Sequence, residues 1–128
     1  MNILGLDYGT KRIGVALAAT SLAEPLTIIP NNSHSFKTIQ SLVNHQQIDL
    51  VIIGLSEGNM AQKTRNFADQ LQPIINVPIK FFDETLTSQE TSLKLLHLRR
   101  RARSLPQDAY QAALILQRFL DSQANMLE

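Results

Sequence analysis

The sequence contains no cysteine, and it has neither a long hydrophobic run nor an excess of charge of one sign. Without cysteine the chain cannot form disulfides, thiolate metal sites, iron–sulfur clusters or a cysteine nucleophile, so any metal must be bound by oxygen or imidazole. The longest apolar run, residues 50–55, is far too short to cross a bilayer. The first residues include an acid, Asp7, and no basic leader. We therefore expect a soluble cytoplasmic protein with no membrane partner.

Twelve Lys and Arg against eleven Asp and Glu leave a net charge of +1, so a nucleic-acid partner must be argued from local clusters of charge. A content of 44% hydrophobic and 18% charged residues is typical of a globular protein and argues against disorder. The 128 residues fall below the length of two average domains. The sequence predicts one domain spanning residues 1–128.

The order of the predicted elements indicates a mixed sheet covered by helices. Three strand patterns, at residues 2–7, 12–19 and 26–29, open the chain, and helix then alternates with strand. The later elements are predicted as a helix behind a cap at Ser35, a buried strand at 50–53, a helix over 61–71 ended by Pro73, a buried strand at 79–82, a helix capped at Thr87, and a last helix from about Pro106 towards Met126. The fold class is therefore α/β, with about five strands.

An acid stands at the end of the first predicted strand. Asp7 is followed by Tyr8, Gly9, Thr10, Lys11 and Arg12, so a small glycine and two cations surround the carboxylate. A phosphate group can approach such a backbone closely. The alternative is that Asp7 only starts the turn before Gly9.

Two further acids, Asp83 and Glu84, follow the strand at 79–82. Strand alternation sends adjacent side chains to opposite faces, so only one of the two can enter a shared site. We favour Glu84, with Asp83 in reserve. Both acids are alternatively solvated residues that precede the helix capped at Thr87.

A fourth acid, Asp108, opens the last predicted helix. It shares a helix face with Ala112, Ile115 and Phe119, and this face is expected to pack on the sheet and carry the carboxylate towards the strand ends. Alternatively, Asp108 only complements the helix dipole, which contributes about 0.3 to 1 kcal/mol.

Carboxylates that converge require neutralisation. At about 4 Å separation, each like-charge pair costs about 4 kcal/mol at an effective dielectric constant of 20, so protons or cations must accompany them. Ligands that are all oxygen favour Mg²⁺ or Mn²⁺. Such a site can activate water and stabilise the leaving oxygen of a phosphodiester.

Three segments resemble the signatures of the YqgF family, which comprises small bacterial RNase H-like proteins described as Holliday junction resolvases and as nucleases that process the end of pre-16S ribosomal RNA. The segments are LGLDYGTKRIGVALA at residues 4–18, FDETLTS at 82–88 and DAYQAALIL at 108–116. By this resemblance, the family's acidic residues fall on Asp7, on Asp83 or Glu84, and on Asp108. The resemblance implies an RNase H-like mixed five-stranded sheet flanked by helices.

Glu57 offers a further choice for the middle acid. RNase H-like sites often draw an acid from the fourth strand, and Glu57 lies just beyond the strand at 50–53. It can replace or assist Glu84. Its alternative role is that of a solvated loop acid.

Cations cluster before Asp108. The segment 91–107 contains five cations and no acid, and we expect its arginines to bind phosphate together with Lys11 and Arg12. The predicted arginine contacts are Arg99, Arg100, Arg101 and Arg103. Tyr8 and Tyr110 flank the proposed acids, and either can stack on a base or merely support its turn. The three histidines show no spacing typical of metal ligands.

The sequence therefore predicts a nuclease in which Asp7, Glu84 and Asp108 bind one or two Mg²⁺ or Mn²⁺ ions. By resemblance, its substrate is structured RNA, specifically precursor 16S ribosomal RNA, or branched DNA. We expect the protein to be a monomer or a weak homodimer. A nucleic-acid-binding module that has lost catalysis is one alternative. An actin-like ATP-binding fragment is another, because that superfamily also uses an Asp-x-Gly-Thr turn for phosphates.

Overall fold

The strands of the computed structural model form one mixed sheet, and helices cover both of its faces. The structure describes residues 1–56, 58–83 and 107–126, and for residues 107, 108 and 124–126 it describes the helical backbone only. The elements are β1 (Ile3–Tyr8), β2 (Arg12–Ala18), β3 (Glu24–Pro30), α1 (Ser35–His45), β4 (Leu50–Leu55), α2 (Asn59–Ile75), β5 (Ile79–Asp83) and α3 (Gln107–Met126). None of the helices within these ranges is both long and apolar enough to span a membrane.

The strand order across the sheet is β3-β2-β1-β4-β5. β1, β2 and β3 form an antiparallel meander, whereas β1, β4 and β5 run parallel. The carboxyl ends of these three parallel strands therefore lie at one edge of the sheet. The predicted mixed five-stranded sheet is confirmed.

The two faces of the sheet bury separate hydrophobic clusters. Leu4 and Leu6 of β1 pack in the cluster that includes residues of α1 and α2, whereas Ile3 packs in the cluster formed with α3. This division follows from the alternation of side chains along a strand. The predicted packing of α3 is also confirmed, because Ala112, Ile115 and Phe119 are buried in its cluster.

Gly5 sets the distance between β1 and α3. A Cβ atom built on Gly5 would lie 2.9 Å from Cβ of Leu116 and 3.3 Å from the carbonyl oxygen of Ala112. Real side chains do not pack this closely, so only glycine permits the observed approach of helix to strand.

Two predictions about helix ends were wrong: the cap at the start of α1 and the residue that ends α2. Ser35 does not cap α1: it is the first helical residue, and its hydroxyl donates to the carbonyl oxygen of Pro30 at 2.8 Å. Pro73 does not end α2, which continues to Ile75. A proline so near the end of a helix removes only one hydrogen bond of the last turn. Asn76 follows the last helical residue, and its left-handed φ of 58° is typical of a helix C-cap.

The strand at 79–82 was predicted to be buried, but β5 is an edge strand. Two of its adjacent side chains, Lys80 and Phe81, are exposed, Phe81 to 40%. By contrast, the predicted burial of the strand at 50–53 is confirmed, because β4 lies between β1 and β5. Apolar residues on a short strand did not distinguish an edge from the centre of the sheet.

Candidate functional site

Asp7 lies at the carboxyl end of β1, on the face of the sheet covered by α3. The odd residues of β1 face this side, since Ile3 packs in the α3 cluster and Gly5 contacts α3 directly. Asp7 continues the same alternation and is half-buried. The central, parallel strand β1 therefore presents a carboxylate at the sheet edge where β4 and β5 also end.

Glycines flank Asp7 on both neighbouring strands. Gly14 of β2 pairs directly with Asp7. On the other side β1 pairs with β4 through Leu6 and Ile53, and continuing this parallel register by one residue places Gly54 beside Asp7. Neither of these two directly neighbouring positions carries a side chain. Sequence analysis did not single out these two glycines, because their positions depend on strand register.

A polar cavity of about 220 Å³ opens beside the carboxylate, at the turn between β1 and β2. The described residues that line it are Asp7, Gly9, Thr10, Lys11 and Arg12. Both cations are exposed. The structure therefore brings Lys11 and Arg12 to the same cavity as Asp7, and the cavity can admit an anionic group that reaches the carboxylate only together with a cation.

The turn is held in shape by backbone contacts. A Cβ atom on Gly9 would lie 2.6 Å from the carbonyl oxygen of Arg12, so a side chain at this position would force the turn apart. Asn31 supports the turn from β3: its Nδ2 donates to the carbonyl oxygen of Gly9 at 2.7 Å, and its backbone N–H donates to that of Lys11 at 2.9 Å. Sequence analysis missed Asn31, since no local pattern links residues 22 positions apart.

Asp83 lies on the other face of the sheet from Asp7. Phe82 packs edge-to-face on Phe119 of α3, with ring centroids 6.3 Å apart. Phe81 instead lies beneath the guanidinium of Arg65 in α2, at 5.9 Å. By alternation, Asp83 follows Phe81 onto the α2 side, where it is exposed. The structure therefore does not bring Asp83 to the face of Asp7.

Asp108 lies in the first turn of α3, and the direction of this helix places that turn near Asp7. Ala112 contacts Gly5 in the middle of β1, while Gln117 contacts Ala23, in the β2–β3 turn at the amino end of β1. The helix thus runs antiparallel to β1. Its first turn, one turn before Ala112, lies towards the carboxyl end of β1.

The other predicted site residues lie outside the described part of the chain. These residues are Glu57, Glu84, Arg99, Arg100, Arg101 and Arg103. Within the described ranges, no group of three or more His, Asp or Glu side chains lies together. The described donor is the Asp7 carboxylate, whose hard oxygens suit Mg²⁺ or Mn²⁺, and it stands in a polar cavity. These features fit a divalent cation.

The fold matches that of RuvC from Thermus thermophilus, with a TM-score of 0.71, 11% identity, and coverage of 98% of this chain and 97% of that one. A second structure of that protein, in complex with a Holliday junction substrate, matches with a TM-score of 0.68 at 13% identity, covering 97% and 96% of the two chains. The fowlpox virus Holliday junction resolvase matches at a TM-score of 0.56 and 14% identity, over 95% of this chain and 99% of that one. The fold is RNase H-like, as expected.

Two curated relatives carry the name "Putative pre-16S rRNA nuclease". The protein from Thermoanaerobacter pseudethanolicus is 36% identical over 98% of this chain and 99% of its own length. The protein from a Roseiflexus species is 38% identical over 94% of each chain. A family model described as "RuvX: Holliday junction resolvase" matches residues 1–122. With an acidic strand end, a cationic turn and a match over almost its whole length, the chain belongs to the RuvX family of nucleases.

Proposed function

We propose that this protein is a metal-dependent nuclease that hydrolyses phosphodiester bonds at the carboxyl end of β1. The observation that carries the proposal is the position of Asp7. It stands in a cationic cavity on the face of the sheet that α3 covers, and the first turn of α3 lies at the same end of that face. The relatives' names favour precursor 16S ribosomal RNA as the substrate, and the fold of the resolvases favours branched DNA. The family match over residues 1–122 favours a nuclease over an ATP-binding fragment.

Asp7, Glu84 and Asp108 are the proposed ligands of one or two Mg²⁺ or Mn²⁺ ions. Such an ion supplies an activated water and neutralises charge on the phosphate oxygens. Asp7 lies on the central strand, whose backbone is held by β2 on one side and β4 on the other. Gly14 of β2 and Gly54 of β4 are its neighbours across the sheet.

Glu84 is preferred to Asp83 because of strand alternation. Phe82 faces α3, as Asp7 does, and Asp83 lies on the opposite face. A residue two positions after Phe82 in a continuing strand would return to the α3 face. This argument supports Glu84 as the acid from the β5 side.

Lys11 and Arg12 are the proposed contacts to the substrate backbone. Both are exposed and line the cavity that contains Asp7. A phosphate bound between them is positioned near the carboxylate, and positioning of this kind lowers the entropic part of the barrier. We propose that Arg99, Arg100, Arg101 and Arg103 extend this contact along the strand, which makes binding sensitive to salt.

The proposal is tested with Asp7→Asn and its matched control Asp83→Asn. Each removes one carboxylate charge at a strand end, on opposite faces of the sheet. Cleavage of a pre-16S RNA fragment and of a four-way DNA junction is measured with Mn²⁺, Mg²⁺ or EDTA, and folding is followed by thermal unfolding.

We expect Asp7→Asn to lose cleavage by at least about 100-fold while it still folds and binds nucleic acid, because it removes a metal ligand. Asp83→Asn should cleave at the wild-type rate. Unchanged metal-dependent cleavage in Asp7→Asn would contradict the proposed site. Wild-type protein that binds both nucleic acids and cleaves neither would instead identify a binding module.

A further inference from the structure

A second cavity, of about 310 Å³, lies at the same end of β1 as Asp7 but on the opposite face of the sheet. Three aromatic rings form one side of it. Tyr8 packs on Phe67 with ring centroids 4.7 Å apart and an interplanar angle of 38°, and Phe36 stacks on Phe67 at 5.3 Å and 19°. Phe67 is buried, whereas Tyr8 and Phe36 are half-buried and line the cavity.

The other side of this aromatic cavity is polar and carries a positive charge. Lys63, Asn66 and Gln70 lie along one face of α2 at spacings of three and four residues, and all three are exposed. The described residues that line the cavity include no acid. Amide groups can donate to and accept from the edge of a nucleobase, and the aromatic rings can stack on its face. The cavity volume is at the lower end of the range for small-molecule sites.

Asn31 connects the aromatic cavity to the turn beside Asp7. Asn31 lines the aromatic cavity, and its side chain donates to the carbonyl oxygen of Gly9. Gly9 in turn lines the cavity beside Asp7. Tyr8 lies between Asp7 and Gly9 in sequence. A nucleotide whose phosphate lies against the turn therefore has the aromatic cavity within reach of its base.

We propose that the aromatic cavity binds one unpaired nucleobase of the substrate strand, next to the phosphate that is cleaved. The inference rests on the proposed function, since it requires the chain to act on nucleic acid. The base must be unpaired because a base inside a duplex is stacked on both faces and cannot reach a cavity in the protein. The substrate is then a single-stranded segment, or a junction at which a base has left the stack.

The test uses a short single-stranded RNA in which an abasic nucleotide replaces each position in turn. Affinity is measured in EDTA, which prevents metal-dependent cleavage. At one position, the RNA that lacks the base should bind the protein about 5- to 100-fold more weakly than the intact RNA, as expected for the loss of one stacked base. Phe36→Leu retains an apolar side chain but no ring. We expect this variant to bind the intact RNA more weakly than the wild type by the same factor, and removal of the base should not weaken its binding further.

Phe81→Leu is the matched control, since Phe81 is an exposed ring on β5 that does not line the cavity. In this variant, removal of the base at that position should weaken RNA binding by the same factor as in the wild type. A double variant, Asn66→Ala with Gln70→Ala, changes exposed side chains only and gives a second reading if Phe36→Leu fails to fold. It should also weaken binding of the intact RNA.

Tyrosine fluorescence gives an independent measurement. The chain has two tyrosines and no tryptophan, so Tyr110→Phe leaves Tyr8 as the only strong fluorophore. Intact RNA should quench it, and RNA with the critical base removed should not. The cavity proposal would be overturned if Phe36→Leu and the double variant both bound RNA with wild-type affinity and no abasic substitution weakened binding. The proposed function would still be decided separately by Asp7→Asn. A protein that binds no RNA and no junction would overturn both.

Discussion

Gly5 of β1 and Leu116 of α3 are in such close contact that a Cβ atom on Gly5 would lie 2.9 Å from that of Leu116. Gly5 lies two residues before Asp7, and Leu116 lies two turns after Asp108. The contact therefore determines how far the first turn of α3 lies from the end of β1.

Gly5→Ala should weaken both folding and cleavage. Because the added methyl group meets backbone and Cβ atoms, α3 must move away from β1, and overpacking of this kind costs about 1 to 3 kcal/mol. Urea unfolding measures the loss of stability. Cleavage, measured where the variant is still fully folded, should fall at least tenfold, since Asp108 moves with its helix. Wild-type cleavage in folded Gly5→Ala would contradict a role for the helix position.

Gln117→Leu should destabilise the protein without changing the site. Gln117 is fully buried, its Oε1 accepts from the backbone N–H of Ala23 at 2.9 Å, and its Nε2 donates to the carbonyl oxygen of Ser21 at 3.1 Å. Leucine leaves these groups without their partners, which costs about 1 to 3 kcal/mol each. Denaturant unfolding should show this loss. Gln123→Leu, at an exposed position of the same helix, should change stability by less than about 0.5 kcal/mol.

The identity of the middle acid can be decided by two substitutions. Glu84→Gln should lose Mn²⁺ binding and cleavage together, because it removes a proposed metal ligand while preserving shape. Glu57→Gln should retain both, as expected for a solvated loop acid. Calorimetric titration with Mn²⁺ measures binding without reference to cleavage. The opposite result would assign the middle position to Glu57 and leave the roles of Asp7 and Asp108 intact.

The arginines should contribute affinity rather than chemistry. Replacing Arg99, Arg100, Arg101 and Arg103 together by Ala should flatten the slope of log affinity against log salt by about 3 to 4 units, if each contacts one phosphate. Turnover of the saturated complex should change far less. Lys80→Ala, at an exposed lysine of β5, is the control for loss of a cation outside the proposed path. A wild-type slope in the quadruple variant would show that these arginines do not contact the substrate.

Much of this architecture was predictable because hydrophobic patterns and turn residues act locally. The strand that ends at Asp7, the glycine turn after it and the buried face of α3 all follow from spacing within one element. The proximity of Lys11 and Arg12 to Asp7 was predictable for the same reason, since one short turn connects them.

Features that depend on distant partners were not predictable. Ser35 resembles a helix cap, but the carbonyl oxygen of Pro30 takes its hydroxyl hydrogen bond instead. The burial expected for β5 failed because an apolar strand pattern does not encode its place in the sheet. The pairing of Asp7 with Gly14, and the hydrogen bond from Asn31 to Gly9, appear only when strands far apart in sequence are placed side by side.

Two of the three proposed acids, Asp7 and Asp108, come from the first strand and from the helix that packs on the other face of the sheet. The helices α1 and α2 can cover their face once residue 83 has been synthesised, whereas in the part of the chain that the structure describes it is α3 that covers the opposite face. A partly synthesised chain thus has Asp7 in position but no Asp108 to accompany it. Under the proposed mechanism, a growing chain from which α3 is still missing is inactive, and its activity towards RNA begins only after α3 has folded onto the sheet.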